Sequence, residues 1–189
     1  MTDPRLIYLM GPSGAGKDAV LAYARARIDG RHDVAVAHRY VTRPAEAGHE
    51  NHIALSEGEF ELRRRKGLFL FDWEAHGLRY AIGTEVNLWL AAGLSVVVSG
   101  SRAHFAAAGS AMRNVLPVVI DASPEERRRR LLARGREAPA AMSERLMRAS
   151  AYQIAHPDLV VIDNSGPLAE AGERLTALLI AAAAGTPRT

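Results

Sequence analysis

The chain alternates between short apolar runs and longer segments in which apolar residues recur at helical spacing. Most of these runs are rich in branched side chains, which is typical of strands buried on both faces of a sheet. Strands that alternate with helices predict an α/β fold with a parallel sheet flanked by helices. The predicted strands cover residues 6–10, 33–38, 94–99, 115–121 and 159–163, and Pro117 suggests that the fourth begins only after it.

Helix boundaries are indicated by polar residues in the first turn and by glycine at the end. Ser56 is followed three residues later by Glu59, and this capping-box pattern predicts a helix over 56–66. Further helices are predicted from the cap Thr84 to residue 92, from the cap Ser123 and Pro124 to about residue 134, over 19–26, 102–110 and 143–155, and after 166–167.

Residues 39–83 interrupt this alternation with a segment that is more polar and more aromatic. Within it, residues 68–73 and 77–83 predict a β-hairpin. We therefore predict one domain over 1–185, with a core of 1–38 and 84–185, a substrate-binding subdomain over 39–83, a lid near 134–148 and a tail over 186–189.

A glycine-rich sequence joins the first predicted strand to the first predicted helix. Its glycines let the backbone approach a ligand closely, and its N–H groups then converge on phosphate oxygens at the positive end of the helix. The lysine adds a charge for the outer phosphates of a nucleotide. The residues predicted to bind the nucleotide here are Gly11, Pro12, Ser13, Gly14, Ala15, Gly16, Lys17 and Asp18.

The residue after the lysine departs from the usual phosphate-binding loop. That position normally carries a serine or threonine whose hydroxyl binds Mg²⁺, but this chain has Asp18. We predict that Asp18 holds the metal directly or through water, because carboxylate oxygens suit Mg²⁺. The alternative is a plain glycine-rich turn in which Asp18 favours the helix dipole; the register of strand, glycines and lysine favours the nucleotide.

Composition narrows the class of protein. Hydrophobic residues make up 48% and charged residues 24%, and there is no cysteine for a disulfide or a thiolate metal site. The longest apolar run, 177–184, is too short to span a bilayer, and the first residues lack a signal-peptide layout, so we expect a cytoplasmic protein without a membrane partner. The charge of +3 suits phosphorylated small molecules, whereas nucleic-acid binding has no motif here.

Several conspicuous side chains have a structural interpretation. Arginines cluster at 63–65 and 127–130, and since their charges point all around a helix we predict solvated helix faces. His104 and His156 are predicted to be surface or capping residues, and no histidine has metal-site spacing. Trp73 and Trp89 are predicted to be core residues.

Over nearly its whole length the chain resembles the guanylate-kinase-like branch of the P-loop kinases. The phosphate-binding loop has the Gly-Pro-Ser-Gly-Ala-Gly-Lys motif of that branch. Thr42-Arg43-Pro44 resembles the branch's Thr-Arg element that binds the substrate phosphate. The other similar segments are 56–60, 77–83 with Tyr80, and Arg134-Gly135-Arg136-Glu137 with Arg145, which resembles the lid. The resemblance implies a P-loop kinase fold.

The departures from guanylate kinases point to a narrower family. Glu46 stands where those enzymes have a second arginine, and a Ser-Gly-Ser-Arg run at 99–102 replaces an acidic strand residue. The segments Gly-Pro-Ser-Gly-x-Gly-Lys-Asp, Ala-His-Arg-Tyr-x-Thr-Arg, Glu-Asn-His-Ile-Ala-Leu-Ser-Glu and Gly-Ser-Arg-Ala-His resemble the ribose 1,5-bisphosphate phosphokinases of phosphonate breakdown. This resemblance implies ATP-dependent, Mg²⁺-dependent conversion of ribose 1,5-bisphosphate to 5-phosphoribosyl 1-diphosphate.

The resemblance also implies roles for individual residues. Lys17, Arg43, Arg134 and Arg145 are the expected catalytic residues, and Arg136 and Arg148 join the loop in binding ATP. Arg145 and Arg148 lie one helical turn apart, so a shared lid role and pairing with Glu144 or Glu137 both stay open. The expected substrate residues are His38, Arg39, Arg43, Asn51, His52, Tyr80, Ser101 and Arg102.

The acceptor in such a reaction is a phosphate, which is already nucleophilic at neutral pH because its second pKa is near 6. We therefore expect cations and a metal rather than a general base. Two alternatives remain: a nucleoside monophosphate kinase acting on GMP, and a guanylate-kinase-like module that binds a protein partner. The oligomeric state stays open.

Overall fold

The computed structural model describes residues 5–30, 32–44, 52–75, 77–109, 112, 114–133 and 154–184. Asn51, Arg134, Arg136, Arg145 and Arg148 lie outside the described residues, as do the predicted lid and tail and most of the predicted helix over 143–155. The strands are β1 (Leu6–Met10), β2 (Val34–Val36), β3 (Arg39–Val41), β4 (His52–Ala54), β5 (Phe69–Ala75), β6 (Leu78–Gly83), β7 (Ser95–Ser99), β8 (Val115–Asp121) and β9 (Val160–Asp163). The helices are α1 (Lys17–Ile28), α2 (Glu57–Arg65), α3 (Glu85–Ala91), α4 (Arg102–Ala108), α5 (Pro124–Ala133) and α6 (Leu168–Ala184).

The larger sheet is parallel and has the strand order β2-β7-β1-β8-β9. Because side chains alternate along a strand, β1 contributes to both faces of this sheet. Ile7 and Leu9 pack in the core cluster that contains α1 and α6, whereas Tyr8 packs in the cluster that contains Val86 of α3 and Phe105 of α4. The predicted parallel sheet flanked by helices is confirmed.

The smaller sheet has the order β4-β3-β6-β5. Its antiparallel pair β5 and β6 is the predicted hairpin, while β3 and β4 are three-residue strands that the sequence pattern did not reveal. Helix α2 covers one face of the sheet, where Phe60 is fully buried against Phe69. The other face turns Arg39, His52 and Tyr80 away from α2, towards the larger sheet's carboxyl edge.

The helices begin after Ser56, Ser123 and Thr84 as predicted, but the side-chain cap expected at the third position is wrong. Ser56 Oγ accepts the N–H of Glu59 at 3.1 Å, and Ser123 Oγ accepts the N–H of Glu126 at 3.2 Å. Thr84 does not cap α3 with its side chain, because its hydroxyl donates to the carbonyl of Leu68 at 3.3 Å.

The expected start of β8 after Pro117 is also wrong. The strand begins at Val115, and Pro117 lies in register with Tyr8 of β1. Pairing with β9 is recorded from Val118 onward, so the proline lies where β8 is still close to an edge, a position that tolerates a missing N–H. Among the described helices, none combines the length and the apolar composition that crossing a membrane requires.

Candidate active site

The loop between β1 and α1 has a backbone conformation that depends on its glycines. Gly14 and Gly16 have φ values of 83° and 82°, in the left-handed region that favours glycine. A Cβ at Gly11 would lie 2.4 Å from the carbonyl oxygen of Ile120, so the loop presses closely on the end of β8. The glycines predicted from the sequence are therefore the residues that this loop conformation requires.

Lys17 is the first residue of α1, and its ammonium group lies at the carboxyl end of β7. It donates to Ser99 Oγ at 2.5 Å and to Asp18 Oδ1 at 2.5 Å. Burial lowers the pKa of Lys17, and the Asp18 carboxylate opposes that effect. A cation that is largely but not fully buried beside the loop is suited to the outer phosphates of a nucleotide.

Asp18 lies between two cations from different parts of the chain. Its Oδ1 is bound to Lys17 and is 4.0 Å from Arg39 Nη2, while the side chain is 55% exposed. Within the described part of the chain no group of three or more histidine or acidic side chains is gathered for a metal. Magnesium in phosphoryl-transfer sites is held by one or two carboxylates together with substrate phosphates, so a single exposed carboxylate at the loop fits that mode.

Two residues that contact the loop, Arg130 and Asn164, were not predicted from the sequence to belong to the site. The carbonyl of Ala15 accepts hydrogen bonds from Asn164 Nδ2 at 2.7 Å and from Arg130 Nη1 at 3.1 Å. Arg130 also donates to the carbonyl of Asn164 at 2.8 Å and pairs with Glu126 at 2.6 Å. Asn164 is 2% exposed. Arg130 in α5 and Asn164 at the end of β9 thus hold the loop through the Ala15 carbonyl, and we call this pair the bracket.

The prediction that 127–130 forms a solvated helix face is wrong for two of its arginines. Arg127 is buried, and a Cβ on Gly14 would lie 2.7 Å from its carbonyl oxygen. Arg130 forms the bracket just described, whereas Arg128 is exposed as predicted. The contact of α5 with the loop joins residues 115 positions apart, and no local pattern in the sequence signals it.

Four of the predicted substrate residues lie on the face of the smaller sheet that is turned away from α2, which we call the inner face. Arg39 and His52 are directly paired in β3 and β4, so their side chains lie side by side. Arg43 Nη2 is 3.4 Å from His52 Nδ1, and Arg39 Cζ is 5.6 Å from the ring centroid of Tyr80. Burial, followed by the charge of Arg43, lowers the pKa of His52, so its imidazole is neutral at physiological pH.

His38 has different neighbours from these four residues. Its Nε2 is 3.4 Å from Glu85 Oε1, and its ring meets the edge of the Tyr40 ring at 5.1 Å. Tyr40 also donates to Glu85 at 3.3 Å. The structure thus groups His38 with the start of α3 rather than with Arg39, and its substrate role stays a prediction.

Ser101 and Arg102 belong to the turn between β7 and α4. Ser101 caps α4 by accepting the N–H of His104 at 3.5 Å, and Arg102 is the first residue of that helix. Ser99 at the other end of the turn holds Lys17. The turn therefore adjoins the phosphate-binding loop at the carboxyl edge of the sheet, where open α/β sheets bind ligands.

His104 is not the surface or capping residue that we predicted. Its ring is half-buried and stacks on Phe71 at 4.8 Å, and its Nδ1 is 3.0 Å from the hydroxyl of Tyr8. Burial lowers the pKa of His104. His156 is also half-buried, and its Nδ1 accepts the N–H of Asp158 at 3.1 Å inside a turn rather than at a helix end.

Curated relatives decide the family. A ribose 1,5-bisphosphate phosphokinase PhnN from Desulfomicrobium baculatum is 52% identical over 93% of this chain and 94% of its own. Its counterparts from Thiobacillus denitrificans and Burkholderia mallei are 47% and 48% identical over 95% of this chain. This chain belongs to the ribose 1,5-bisphosphate phosphokinase family. No protein-family model matches it.

Solved structures agree on the fold of this phosphokinase. A guanylate kinase from Anaplasma phagocytophilum aligns with a TM-score of 0.67 and 20% identity, covering 94% of this chain and 85% of its own. A sugar kinase from Janibacter aligns with a TM-score of 0.51 and 21% identity, covering 97% of this chain and 99% of its own. The predicted guanylate-kinase-like fold is confirmed.

The charges of this phosphokinase are distributed unevenly over the smaller sheet. On the inner face, Arg39 lies near both Arg43 and Lys17, with Asp18 as a nearby carboxylate. Arg79 instead pairs with Glu61 at 2.9 Å and is also within 4 Å of Glu57 and Glu74. The inner face is therefore cationic, whereas Arg79 is neutralised by its neighbours.

Proposed function

We propose that this protein transfers the γ-phosphoryl group of ATP to the 1-phosphate of ribose 1,5-bisphosphate. The products are ADP and 5-phosphoribosyl 1-diphosphate. The observation that carries the proposal is the convergence of Lys17 at the nucleotide loop with Arg39 and Arg43 at the inner face of the smaller sheet. Two polyanions that repel each other need such cations on both sides of the transfer.

The chemistry needs no base from the protein. An oxygen of the 1-phosphate attacks the γ-phosphorus, the bond from that phosphorus to the bridging oxygen breaks, and ADP leaves with the bonding electrons. The attacking oxygen is already deprotonated at neutral pH because the second pKa of a phosphate monoester is near 6. Catalysis then consists of alignment and of neutralising charge on the transferred group.

We assign the donor side to the loop and Lys17, and the acceptor side to the cluster of Arg39, Arg43 and His52. Arginine forks bind phosphate oxygens in pairs, and a neutral imidazole adds a hydrogen-bond donor without further charge repulsion. Arg39 lies nearest the loop through Asp18, so we assign it to the reacting 1-phosphate. Arg43 and His52 are assigned to the remaining acceptor oxygens.

Asp18 is the described residue that we assign to Mg²⁺. The metal, when bound, would neutralise charge on the β- and γ-phosphates. ATP and phosphorylated sugars are cytoplasmic compounds, and the proposal places the protein there with a small-molecule sugar phosphate as its partner. The arginines at 134, 136, 145 and 148 keep their predicted role at the ATP side.

The test is ADP release from ATP and Mg²⁺ with each of two acceptors, ribose 1,5-bisphosphate and GMP. We expect release with the sugar bisphosphate, little with GMP, and none from the Lys17→Ala variant. Comparable release with GMP would make the protein a nucleotide kinase. No ADP release with either acceptor, or near-normal turnover by Lys17→Ala, would overturn the proposal.

A further inference from the structure

One buried hydroxyl makes two contacts with the turn between β7 and α4 and a third with the first turn of α4. Tyr8 is fully buried in β1, two residues before the strand ends at Met10. Its hydroxyl accepts the N–H of Ser101 at 3.1 Å, lies 3.1 Å from the carbonyl oxygen of Ser101, and lies 3.0 Å from His104 Nδ1. A phenol has one proton and two lone pairs, so these three contacts use its full hydrogen-bonding capacity.

Gly100 allows the tyrosine to reach the turn. A Cβ at this position would lie 2.2 Å from both Cζ and the hydroxyl oxygen of Tyr8. Any larger residue would therefore push the ring away from the backbone it holds. The Gly-Ser-Arg-Ala-His segment thus supplies the space at Gly100, the backbone contacts at Ser101 and the imidazole at His104.

The imidazole of His104 extends this contact to the smaller sheet. Its ring stacks on Phe71 at 4.8 Å and lies 5.9 Å from the ring of Trp73. Trp73 in turn stacks on Tyr80 at 5.4 Å, and Tyr80 is the ring beneath Arg39. A continuous row of rings therefore connects the turn with the acceptor-side arginine.

We propose that Tyr8 and His104 act as a pair of positioning residues that hold the turn over 99–102 and so place Arg102 at the acceptor end of the site. The inference rests on the proposed function for its acceptor half. Ser99 at the start of the turn binds Lys17, and Arg102 at its end begins α4. Fixing the turn therefore fixes the spacing between a donor-side group and an acceptor-side cation.

Simple packing does not account for these two residues. Burying a hydroxyl and an imidazole costs free energy that phenylalanine rings of similar shape would avoid. Burial raises the pKa of Tyr8 and lowers the pKa of His104, so both groups are neutral at physiological pH and the contact is a neutral hydrogen bond. Its geometric effect is to fix one backbone conformation of the turn.

The test uses variants that separate ring packing from hydrogen bonding. Tyr8→Phe and His104→Phe keep the rings and remove the hydrogen bond, while His104→Asn keeps a polar atom near the position of Nδ1. We expect both phenylalanine variants to raise KM for ribose 1,5-bisphosphate about tenfold, with KM for ATP within about twofold of wild type. His104→Asn should recover part of the acceptor KM.

A double-mutant cycle tests whether the two residues act as one unit. The Tyr8→Phe/His104→Phe protein should be no worse than the more affected single variant, because the second change removes a contact already lost. His156→Phe is the control. His156 packs against the ring of Phe105, as Tyr8 does, but its hydrogen bond is to Asp158 and not to Tyr8. It should leave KM for the acceptor unchanged.

Hydrogen exchange gives a reading that does not depend on turnover. The amide of Ser101 should exchange faster in Tyr8→Phe, while amides of α6 keep their wild-type protection. Unchanged exchange at Ser101, additive effects in the cycle, or equal rises in both KM values would overturn the inference. A wild-type protein that is silent with ribose 1,5-bisphosphate would overturn the proposed function instead, and hydrogen exchange would still decide whether the pair holds the turn.

Discussion

Asp18 is the residue at which the proposed donor and acceptor sides of the site meet. It supplies a negative charge to Lys17 and lies 4.0 Å from Arg39, which belongs to a different sheet. The hydroxyl that normally occupies this position carries no charge and would leave two cations facing each other. The aspartate therefore explains how the chain keeps Lys17 and Arg39 close together in the absence of phosphates.

Replacing Asp18 by asparagine should change two pH- and metal-dependent properties. The carboxylate raises the pKa of Lys17 against the effect of burial, so its loss should lower that pKa further. The alkaline limb of the kcat/KM profile should then move to lower pH, and the Mg²⁺ concentration for half-maximal rate should rise. Steady-state ADP release between pH 6 and 10 measures both.

Asp29→Asn is the matched control for that variant, because Asp29 caps the opposite end of α1 and is exposed. It should leave both properties unchanged. A wild-type Mg²⁺ requirement in Asp18→Asn would remove Asp18 from the metal site.

Arg43 and Arg79 test whether position, rather than charge alone, makes an arginine functional. Arg43→Ala should raise KM for the sugar bisphosphate by about 10- to 100-fold, because a charge-assisted hydrogen bond contributes roughly 1.5 to 3 kcal/mol. Arg79→Ala should affect stability more than KM, since Arg79 is already occupied by Glu61. If only KM for ATP moved in Arg43→Ala, the acceptor-side assignment would be wrong.

At the level of elements, α5 and the end of β9 hold the phosphate-binding loop through the carbonyl of Ala15. Arg130 supplies a charged donor to that carbonyl, and Asn164 supplies a buried neutral one. Because the carbonyl is turned towards them, the loop conformation depends on contacts far away in the sequence. Loop glycines permit the conformation, and these two side chains select it.

Arg130→Leu should weaken ATP binding without abolishing the fold. Loss of this donor is expected to raise KM for ATP about tenfold, since one charge-assisted hydrogen bond is removed. The exposed Arg128 on the same helix provides the control, and Arg128→Leu should leave KM for ATP unchanged. Equal effects of the two substitutions would mean that general helix charge, not the bracket, matters.

Glu126 gives this same element a dependence on pH. Hydrogen bonding from Arg129, with the charge of Arg130, lowers the pKa of Glu126 to about 2 from an ordinary value of 4.5. A carboxyl whose pKa falls on folding stabilises the protein above pH 4.5, and that stabilisation is lost as the pH falls towards 2. Urea unfolding should therefore show a smaller loss of stability between pH 5 and 3 in Glu126→Gln than in wild type.

Local sequence patterns are sufficient to predict some of the elements and their caps. β1 follows directly from five consecutive apolar residues before a glycine, and Ser56 follows from a local capping rule. The roles of Arg130, Asn164 and His104 depend on which surface of an element meets another element, and no local pattern encodes that. The hydroxyl of Thr84 likewise found a distant carbonyl instead of its predicted cap.

At the scale of the whole molecule, a parallel sheet and a small mixed sheet bring their cations together around Asp18. The larger sheet supplies the nucleotide loop and Lys17, and the smaller one supplies Arg39, Arg43 and His52. The fold and family were predictable because the nucleotide loop and three other segments are spelled out in short motifs. The meeting of the two sheets through Tyr8, His104 and Trp73 was not, since Tyr8 and His104 are 96 positions apart and His104 and Trp73, at positions 104 and 73, belong to different elements.

The most direct test of the account is the structure of the product. Purified protein is incubated with ATP, Mg²⁺ and ribose 1,5-bisphosphate, and the sugar product is separated and examined by ³¹P NMR. We predict two coupled diphosphate signals at C1 beside an unchanged monoester signal at C5. A third monoester signal, which would mean transfer to a hydroxyl, or free phosphate with an unchanged sugar bisphosphate, would contradict the account.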